Sequence, residues 1–488
     1  MRLILRGKVN SLYVQSLCMM FFRGEKFPES EENPKGFISV ELLYLSDGVL
    51  AKADLEYCQK KTHSEHFESF NDKDTSERIG KIATGHAVFA ACSNLTGYMP
   101  PWGLLTGIRP SVVAEELLAE NETEQAIEIL MKRYLVSEEK AKLAVEVAKN
   151  ESVILEKYDD TSCSIYISIP FCPTRCTYCS FISYATKKLF ELMPAYVERI
   201  IKDIRDTFLM VNKIGLRVAT VYMGGGTPTT LSPEHLEKVL KTVRNCLGDN
   251  TLDEFTVEGG RPDTITEEKL QILTKYGVDR ISVNPQSLND EVLVNIGRRH
   301  TVKDFFHAYE LVKKSGIKVV NTDLIAGLDG DDFESFKNTV NQIINLAPEN
   351  ITVHTFSVKK SAQILQDDHS IYNREGAFAT ESVTYACDVL KSKGYIPYYM
   401  YRQKNTVSDL ENVGYAKKNT FCIYNVLMMG DGHTVFGIGA GSTTKLVKKR
   451  NGKTEILRIF SQKYPYEYLQ DNQSIDEKVF DFFERGTE

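Results

Sequence analysis

The chain has 488 residues, of which 42% are hydrophobic and 26% are charged, as in an ordinary globular protein with a large core and room for two or three domains. Its formal net charge of −7 and its lack of a strongly basic run argue against a nucleic-acid partner. Ten cysteines are too few for a disulfide framework, and no stretch is long and apolar enough to span a membrane. The apolar run from Leu12 to Phe22 is interrupted by Gln15 and Ser16 and lacks a small-residue cleavage site, so we expect a cytoplasmic protein.

Residues 1–160 are predicted to form an α+β accessory domain. β-branched content and alternation favour two early strands, and apolar residues at helical spacing favour three helices after them. The strands are predicted at 2–5 and 38–45, and the helices at 78–91, 125–134 and 141–155. The only tryptophan, Trp102, lies in a turn-rich segment, for which packing at a domain boundary is the favoured interpretation.

From Ser164 onward, strands alternate with helices. The strands are predicted at 164–169, 218–223, 254–258, 280–283, 318–325 and 351–355. The helices are predicted at 188–211, after a cap at Ser232, and at 267–276, 302–315, 333–345 and 376–393. This alternation predicts parallel strands with right-handed crossovers, hence an α/β fold with a partial (β/α)6 barrel over residues 161–400. Residues 401–488 are predicted to be a C-terminal extension that covers the substrate side.

A short loop after the first of these strands contains three cysteines, Cys172, Cys176 and Cys179, at a C-x3-C-x2-C spacing. Three thiolates on one loop can bind three irons of a four-iron cluster and leave the fourth iron without a protein ligand. A structural zinc site would need a fourth ligand, and Cys163 is poorly placed for it across a predicted strand. A disulfide network would leave an odd cysteine, so the cluster is the favoured interpretation.

Other chemically useful residues follow the predicted strands. Three glycines at 224–226 precede Thr227, and consecutive glycines let backbone N–H groups approach a ligand closely. Glu258, Gln286, Arg298 and Asp323 lie at or just beyond later strands. Each of them taken alone is more often a surface group or a salt-bridge partner. Because reactive residues gather at the C-terminal ends of parallel strands, their recurrence there predicts one shared site.

Taken together, these motifs resemble the radical S-adenosylmethionine (SAM) proteins, and within them the oxygen-independent coproporphyrinogen III oxidase (dehydrogenase) group and its HemZ-like branch. The resemblance covers roughly residues 160–445 and includes the run from Gly297 to Thr301. In this family the free iron of a [4Fe–4S] cluster is chelated by SAM, and one electron from the cluster splits SAM to give a 5′-deoxyadenosyl radical. The protein positions and shields these cofactors.

The resemblance also implies roles for residues. The catalytic centre would be the cluster, and its ligands would be Cys172, Cys176 and Cys179. SAM would be contacted by Tyr166, Tyr178, Gly225, Gly226 and Thr227. Gln286 and Asp323 would hold the ribose or adjacent polar atoms. Glu258 and Arg298 would lie near the amino acid end of SAM, or at a second SAM site if one exists.

The implied reaction is oxidative decarboxylation of coproporphyrinogen III to protoporphyrinogen IX in anaerobic haem biosynthesis, with flavodoxin or ferredoxin as electron donor. One departure favours a different function: the established dehydrogenases have a further cysteine where this chain has Phe181, as the related haem chaperones do. A haem-binding chaperone, and another radical SAM reaction on a tetrapyrrole or a different substrate, therefore remain alternatives. The segment after Glu258 is also one residue longer than the usual family pattern.

Overall fold

The computed structural model describes residues 1–30, 35–107, 109–179, 185–357, 376–403, 406–450, 453–471 and 474–484. Phe181, the position of the predicted departure from the dehydrogenases, lies outside these residues. The described chain divides into two compact units. The first contains Met1–Ala148 and Met400–Glu411, and the second contains most of the remaining residues up to the C-terminal region.

The first unit contains a four-stranded sheet in the order β1-β2-β3-β4, in which β1 and β2 are parallel and the other pairs are antiparallel. Its strands are β1 (Arg2–Arg6), β2 (Gly36–Tyr44), β3 (Gly48–Tyr57) and β4 (Lys60–Ser69). The helices that begin in this unit are α1 (Ser11–Phe21), α2 (Ser76–Thr96), α3 (Pro110–Leu118), α4 (Thr123–Tyr134) and α5 (Glu138–Leu155).

Helices α1 and α2 supply the core of the first unit. The apolar run from Leu12 to Phe22 forms α1, whose Val14, Leu17 and Cys18 are fully buried in one cluster with the inner face of the sheet. The Thr75 side chain caps α2 at its start, and Gly97 ends the helix in the left-handed conformation that glycine adopts readily. Burial of this continuous apolar cluster is what stabilises the unit.

A buried polar cluster joins two distant parts of the first unit. The Trp102 ring nitrogen donates to Glu411 Oε2 at 2.8 Å, and Lys140 Nζ lies 2.8 Å from Glu411 Oε1. The side chains of Lys140 and Glu411 are only 4% and 1% exposed. This ion pair holds the pKa of Glu411 below its ordinary value although burial acts in the opposite direction. The predicted turn-rich tryptophan segment is therefore anchored to Glu411, 309 positions later.

The second unit contains an eleven-stranded sheet in the order β11-β12-β10-β9-β8-β7-β6-β5-β13-β14-β15. Strands β5 to β10 lie side by side in chain order, and every neighbouring pair among them is parallel. The six are β5 (Ser162–Ile169), β6 (Arg217–Gly225), β7 (Glu254–Glu258), β8 (Arg280–Ser282), β9 (Val319–Ala326) and β10 (Asn350–Thr355). The predicted partial (β/α)6 barrel is thus confirmed, as an open sheet without closure among the described strands.

The remaining strands extend this sheet on both sides. β12 pairs antiparallel with β10, whereas β13 pairs parallel with β5 and is followed by an antiparallel hairpin. These strands are β11 (Ile396–Arg402), β12 (Glu411–Ala416), β13 (Thr434–Ile438), β14 (Thr443–Arg450) and β15 (Lys453–Phe460). The Gly-rich run at 436–442 forms the end of β13 and the turn into β14. Because β13 lies beside β5, the strand that precedes the cysteine loop has a neighbour on each side.

The helices of the second unit cover the parallel strands. They are α6 (Lys187–Phe190), α7 (Met193–Lys213), α8 (Pro233–Leu247), α9 (Glu267–Lys275), α10 (Asp290–Asn295), α11 (Val302–Lys314), α12 (Phe333–Leu346), α13 (Gly376–Ser392), α14 (Ile423–Met429), α15 (Pro465–Gln470) and α16 (Asp476–Glu484). The Ser232 side chain caps α8 as predicted. The single helix predicted at 188–211 is instead two helices, because Pro194 suits the first turn of α7 but not a helix interior. No helix among the described residues is long and apolar enough to cross a bilayer.

Candidate active site

The loop that follows β5 is fixed to the glycine turn at the end of β6. The backbone N–H of Gly226 donates to the carbonyl oxygen of Ile169 at 2.8 Å, and that of Thr227 donates to the carbonyl oxygen of Phe171 at 2.8 Å. The Cys172 sulfur lies 3.2 Å from the Thr227 hydroxyl. The first cysteine is therefore positioned by backbone contacts between the two strand ends.

The second half of the loop turns back over Cys176. The backbone N–H of Cys179 donates to the Cys176 carbonyl oxygen at 3.1 Å, and the Thr174 hydroxyl donates to the Gly297 carbonyl oxygen at 3.1 Å. Cys172 and Cys176 are each 8% exposed, and Cys179 is half-buried. Burial raises the pKa of the Cys172 thiol to about 11, so this sulfur becomes a thiolate readily only when a cation binds it.

Sequence reasoning missed Arg261, which contacts the cysteine loop directly. Its Nη1 donates to the Cys176 sulfur at 3.2 Å and its Nη2 donates to the Thr174 hydroxyl at 2.6 Å. The Arg261 side chain is 3% exposed, and its Nε lies 3.4 Å from Asp263 Oδ1. The only signal in the sequence was the one-residue lengthening of the segment after Glu258, which did not by itself indicate a contact with a cysteine.

The glycine turn leaves no room for side chains. A Cβ atom on Gly226 would lie 2.6 Å from the Phe171 carbonyl oxygen, and one on Gly224 would lie 3.0 Å from the Glu258 carboxyl carbon. Gly225 has a φ of +105°, which a residue with a side chain rarely adopts. The turn is thus a backbone surface between the cysteine loop and Glu258.

Glu258, at the end of β7, lies beside a stack of aromatic rings. The Tyr222 hydroxyl donates to Glu258 Oε1 at 2.6 Å, and the Tyr222 ring stacks on Tyr424 with centroids 4.4 Å apart. Tyr166 stacks at 6.1 Å on each of these two rings. Burial raises the pKa of Glu258 from 4.5 to about 7, and the nearby Asp323 carboxylate acts in the same direction. The Glu258 carboxyl is therefore partly protonated near neutral pH.

Asp323 has a different environment, although it lies close enough to influence Glu258. It is the fifth of eight residues in β9 and not at the strand end, and it accepts from the side-chain amides of Asn284 and Asn321 at 2.7 Å each. His354 Nε2 lies 3.7 Å from Asp323 Oδ2. Burial alone would raise the pKa of Asp323, but the hydrogen bonds and the histidine hold it below its ordinary value. The pKa values of these two neighbouring carboxyls are thus shifted in opposite directions.

Gln286 and Arg298 each keep one buried polar atom without a hydrogen-bond partner among the described residues, Gln286 Oε1 and Arg298 Nε. Gln286 has a φ of +69°, and its N–H donates to the Asp323 carbonyl oxygen at 3.0 Å. Arg298 donates from Nη1 to the Asn284 carbonyl oxygen at 2.6 Å, and its Nη2 lies 3.4 Å from the Tyr178 hydroxyl. An unpaired buried donor or acceptor is costly, so these atoms suit a polar ligand.

Asn284, which sequence reasoning also missed, connects several of the predicted residues. Its carbonyl oxygen accepts from Arg298 and its side-chain amide donates to Asp323. Arg298 in turn reaches Tyr178 in the cysteine loop. Asn284 and Arg298 therefore link Asp323, inside β9, to Tyr178 of the cysteine loop.

The donor set fits a cluster that binds a small nucleotide-like cofactor. Among the described residues, no three His, Cys, Asp or Glu side chains are grouped as ligands of a single metal ion. A four-iron cluster does not need such a group, because each cysteine binds a different iron. The backbone of Gly226 and Thr227 contacts the segment just before Cys172, and Arg298 contacts Tyr178, between Cys176 and Cys179.

Residues 166–343, which include the cysteine loop and the parallel strands β6 to β9, match the radical SAM superfamily model. Proteins of that superfamily use a [4Fe–4S] cluster and SAM. The oxygen-independent coproporphyrinogen-III oxidase-like protein HemZ of Bacillus subtilis is 33% identical to this chain over 474 residues, 96% of this chain and 94% of that protein. The chain therefore belongs to the HemZ family of radical SAM proteins.

Two further proteins are similar over part of the chain. The heme chaperone HemW of Lactococcus lactis is 28% identical over 335 residues, 65% of this chain and 80% of that protein. The structure of coproporphyrinogen III oxidase (HemN) from Escherichia coli matches with a TM-score of 0.52 at 20% identity, over 68% of this chain and 72% of that chain. The structural match supports the fold alone, whereas the predicted family resemblance is confirmed by the HemZ relative.

Proposed function

We propose that this protein is a radical SAM enzyme of tetrapyrrole metabolism that converts coproporphyrinogen III to protoporphyrinogen IX without oxygen. The observation that carries the proposal is the 33% identity over nearly the full length of a coproporphyrinogen-III oxidase-like protein. Because this match covers 96% of the chain, it includes both the parallel strands and residues 1–160. The site network described above supports it, because its groups suit a cluster and a nucleotide cofactor.

The proposed roles follow the chemistry of each group. Cys172, Cys176 and Cys179 hold the cluster, which with SAM supplies a 5′-deoxyadenosyl radical. The backbone at Gly225 and Gly226, with Thr227, Tyr166 and Tyr178, binds SAM. Gln286 and Asp323 accept from ribose hydroxyls, which suits an amide oxygen without a partner and a carboxylate of lowered pKa.

Glu258 and Arg298 are proposed to bind the amino acid end of SAM or of a second SAM molecule. An arginine donates to carboxylate oxygens, and the unpaired Nε of Arg298 is available for such a contact. The raised pKa of Glu258 means that binding of an ammonium group beside it would draw out its proton. Arg298 thus supplies a cation for the carboxylate of the amino acid end of SAM. Glu258 supplies a titratable carboxyl for its ammonium group.

The proposed reaction removes one hydrogen atom from each of two propionate side chains, releases CO2 and leaves vinyl groups. The electron left on the substrate in each step passes to an acceptor, and each cluster reduction takes one electron from flavodoxin or ferredoxin. The test is anaerobic incubation of the reconstituted protein with SAM, dithionite and coproporphyrinogen III. Formation of 5′-deoxyadenosine only with substrate, together with vinyl products, supports the proposal, and its absence with an intact cluster contradicts it.

A haem chaperone is the second candidate. The heme chaperone relative and Phe181, in place of the further cysteine of the established dehydrogenases, favour it. Such a protein would keep the cluster and SAM but bind haem instead of transforming a porphyrinogen. Stoichiometric haem binding without substrate-dependent SAM cleavage would favour this function. Methylated or ring-opened products would instead indicate another radical SAM reaction.

A further inference from the structure

Arg261 is a buried cation in contact with one of the three cysteine sulfurs. It donates to the Cys176 sulfur at 3.2 Å, and its other terminal nitrogen donates to Thr174 in the same loop at 2.6 Å. Its carboxylate partner, Asp263, lies 3.4 Å from Nε and is 28% exposed, whereas the Arg261 side chain is 3% exposed. Water therefore screens the Asp263 carboxylate more than it screens the Arg261 guanidinium. Asp263 then compensates only part of the positive charge of Arg261, and the rest acts on the Cys176 sulfur.

The backbone around Arg261 fixes this position. A Cβ on Gly259 would lie 2.5 Å from the Ser282 carbonyl oxygen, so the turn passes close against β8. The Thr264 hydroxyl donates to the Arg261 carbonyl oxygen at 2.8 Å across the short helix at Pro262–Thr264. The turn is one residue longer than the usual family pattern, and that extra length accompanies an arginine at the cysteine loop. These contacts fix the backbone of the turn from which the Arg261 side chain reaches the cysteine loop.

We propose that Arg261 is a positioning residue that raises the reduction potential of the cluster by donating a hydrogen bond to Cys176. The inference depends on the proposed cluster site. With three thiolate ligands, a [4Fe–4S] cluster has a net charge of about −1 when oxidised and −2 when reduced by one electron. A nearby cation stabilises the more negative state more strongly, and hydrogen bonds to ligand sulfurs act in the same direction.

The consequence concerns the supply of electrons. A higher potential lets a weaker reductant load the cluster, and it decreases the driving force for passing that electron to the sulfonium of SAM. No bond to Arg261 forms or breaks in this step, because one electron enters the cluster and the guanidinium remains protonated. Arg261 therefore changes which electron carriers can serve the protein.

The test is a redox titration of the reconstituted cluster, followed by electron paramagnetic resonance, in the full chain. Arg261→Gln should decrease the ratio of reduced to oxidised cluster about tenfold at a fixed applied potential, which is about 59 mV for a one-electron couple. Arg261→Lys keeps the charge and should restore part of the shift. As a matched control, Arg217→Gln removes an arginine at the opposite end of β6, paired with Asp253 at 2.8 Å, and should leave the potential unchanged.

Asp263→Asn gives an independent test of opposite sign. Loss of this carboxylate leaves the charge of Arg261 less compensated, so the potential should rise. If Arg261→Gln fails to hold a cluster, the Asp263→Asn and Arg261→Lys titrations still decide the matter. An unchanged or lowered potential in Asp263→Asn, or an unchanged potential in Arg261→Gln, would overturn the inference. A parent protein that binds no iron and sulfide would instead overturn the proposed cluster site, so the two failures are distinguishable.

Discussion

Replacement of Glu258 by glutamine should stabilise the cofactor-free protein at pH 8 and have a much smaller effect at pH 5. Burial raises the pKa of Glu258 from 4.5 to about 7, so the folded state binds its proton more tightly than the unfolded state does. Stability from this group is complete below pH 4.5 and is lost as the pH rises through about 7. Glutamine keeps the acceptor for Tyr222, 2.6 Å away in the parent protein, and does not ionise.

The magnitude follows from the pKa shift. Each unit of differential pKa is worth about 1.4 kcal/mol, so between pH 5 and pH 8 the free energy of unfolding of the parent should fall by about 2 to 3 kcal/mol relative to Glu258→Gln. Contributions from all other groups are common to both proteins and cancel in this difference. The predicted quantity is therefore the change with pH in the difference in unfolding free energy between the parent and Glu258→Gln. It is not the absolute stability of either protein.

The assay is urea denaturation of both proteins, without cluster or SAM, followed by far-ultraviolet circular dichroism at several pH values. Glu268→Gln is the matched control, because it removes an exposed carboxyl in the first turn of α9 and leaves the Glu258 site intact. A difference for Glu258→Gln that is equal at pH 5 and pH 8 would refute the conclusion that burial raises the pKa of this carboxyl.

Three further outcomes are expected. Cys176→Ser should abolish both the brown absorbance of the reconstituted cluster and SAM cleavage, and retention of both would remove that cysteine from the ligand set. Gly226→Ala should weaken SAM binding at least tenfold in equilibrium dialysis, because its Cβ would lie 2.6 Å from a carbonyl oxygen of the cysteine loop; unchanged affinity would contradict the cradle. Glu411→Ala should destabilise the first unit by about 3 kcal/mol, since it removes the partner of Lys140 and Trp102, as measured by fluorescence of this only tryptophan during urea denaturation. A loss below 1 kcal/mol would show that the buried pair contributes little.

The alternating strands and helices of the second unit were predictable because their signals are local. Parallel strands covered on both faces are continuous apolar runs, and the helices between them begin at cap residues such as Ser232 and Thr301. The hairpin of β14 and β15 was not predicted, since β15 is largely exposed and has no strong apolar alternation. A local sequence pattern thus predicts a strand or helix only where at least one face of that element is buried.

Within the site, the sequence indicated which residues gather but not how they are connected. Asn284 joins Arg298 to Asp323 through one backbone and one side-chain contact, and an asparagine after a short strand has no pattern that predicts this. Arg261 reaches Cys176 only because of the path of the turn after Glu258. The strand predicted at 318–325 already contains Asp323, whereas its contact with Asn284 of another segment has no local signal in the sequence. The assigned roles of the predicted site residues stay predictions until they are tested by mutation.

The pairing of β5 with β13 also bears on how the protein is made. Cys163 is aligned with Thr434, about 270 residues later, so the ribosome delivers the three thiols long before the strand that supports them gains its second neighbour. A nascent polypeptide that has not reached β13 presents β5 as an open edge. A shortened gene product that lacks β13 should accordingly be prone to aggregation along this edge.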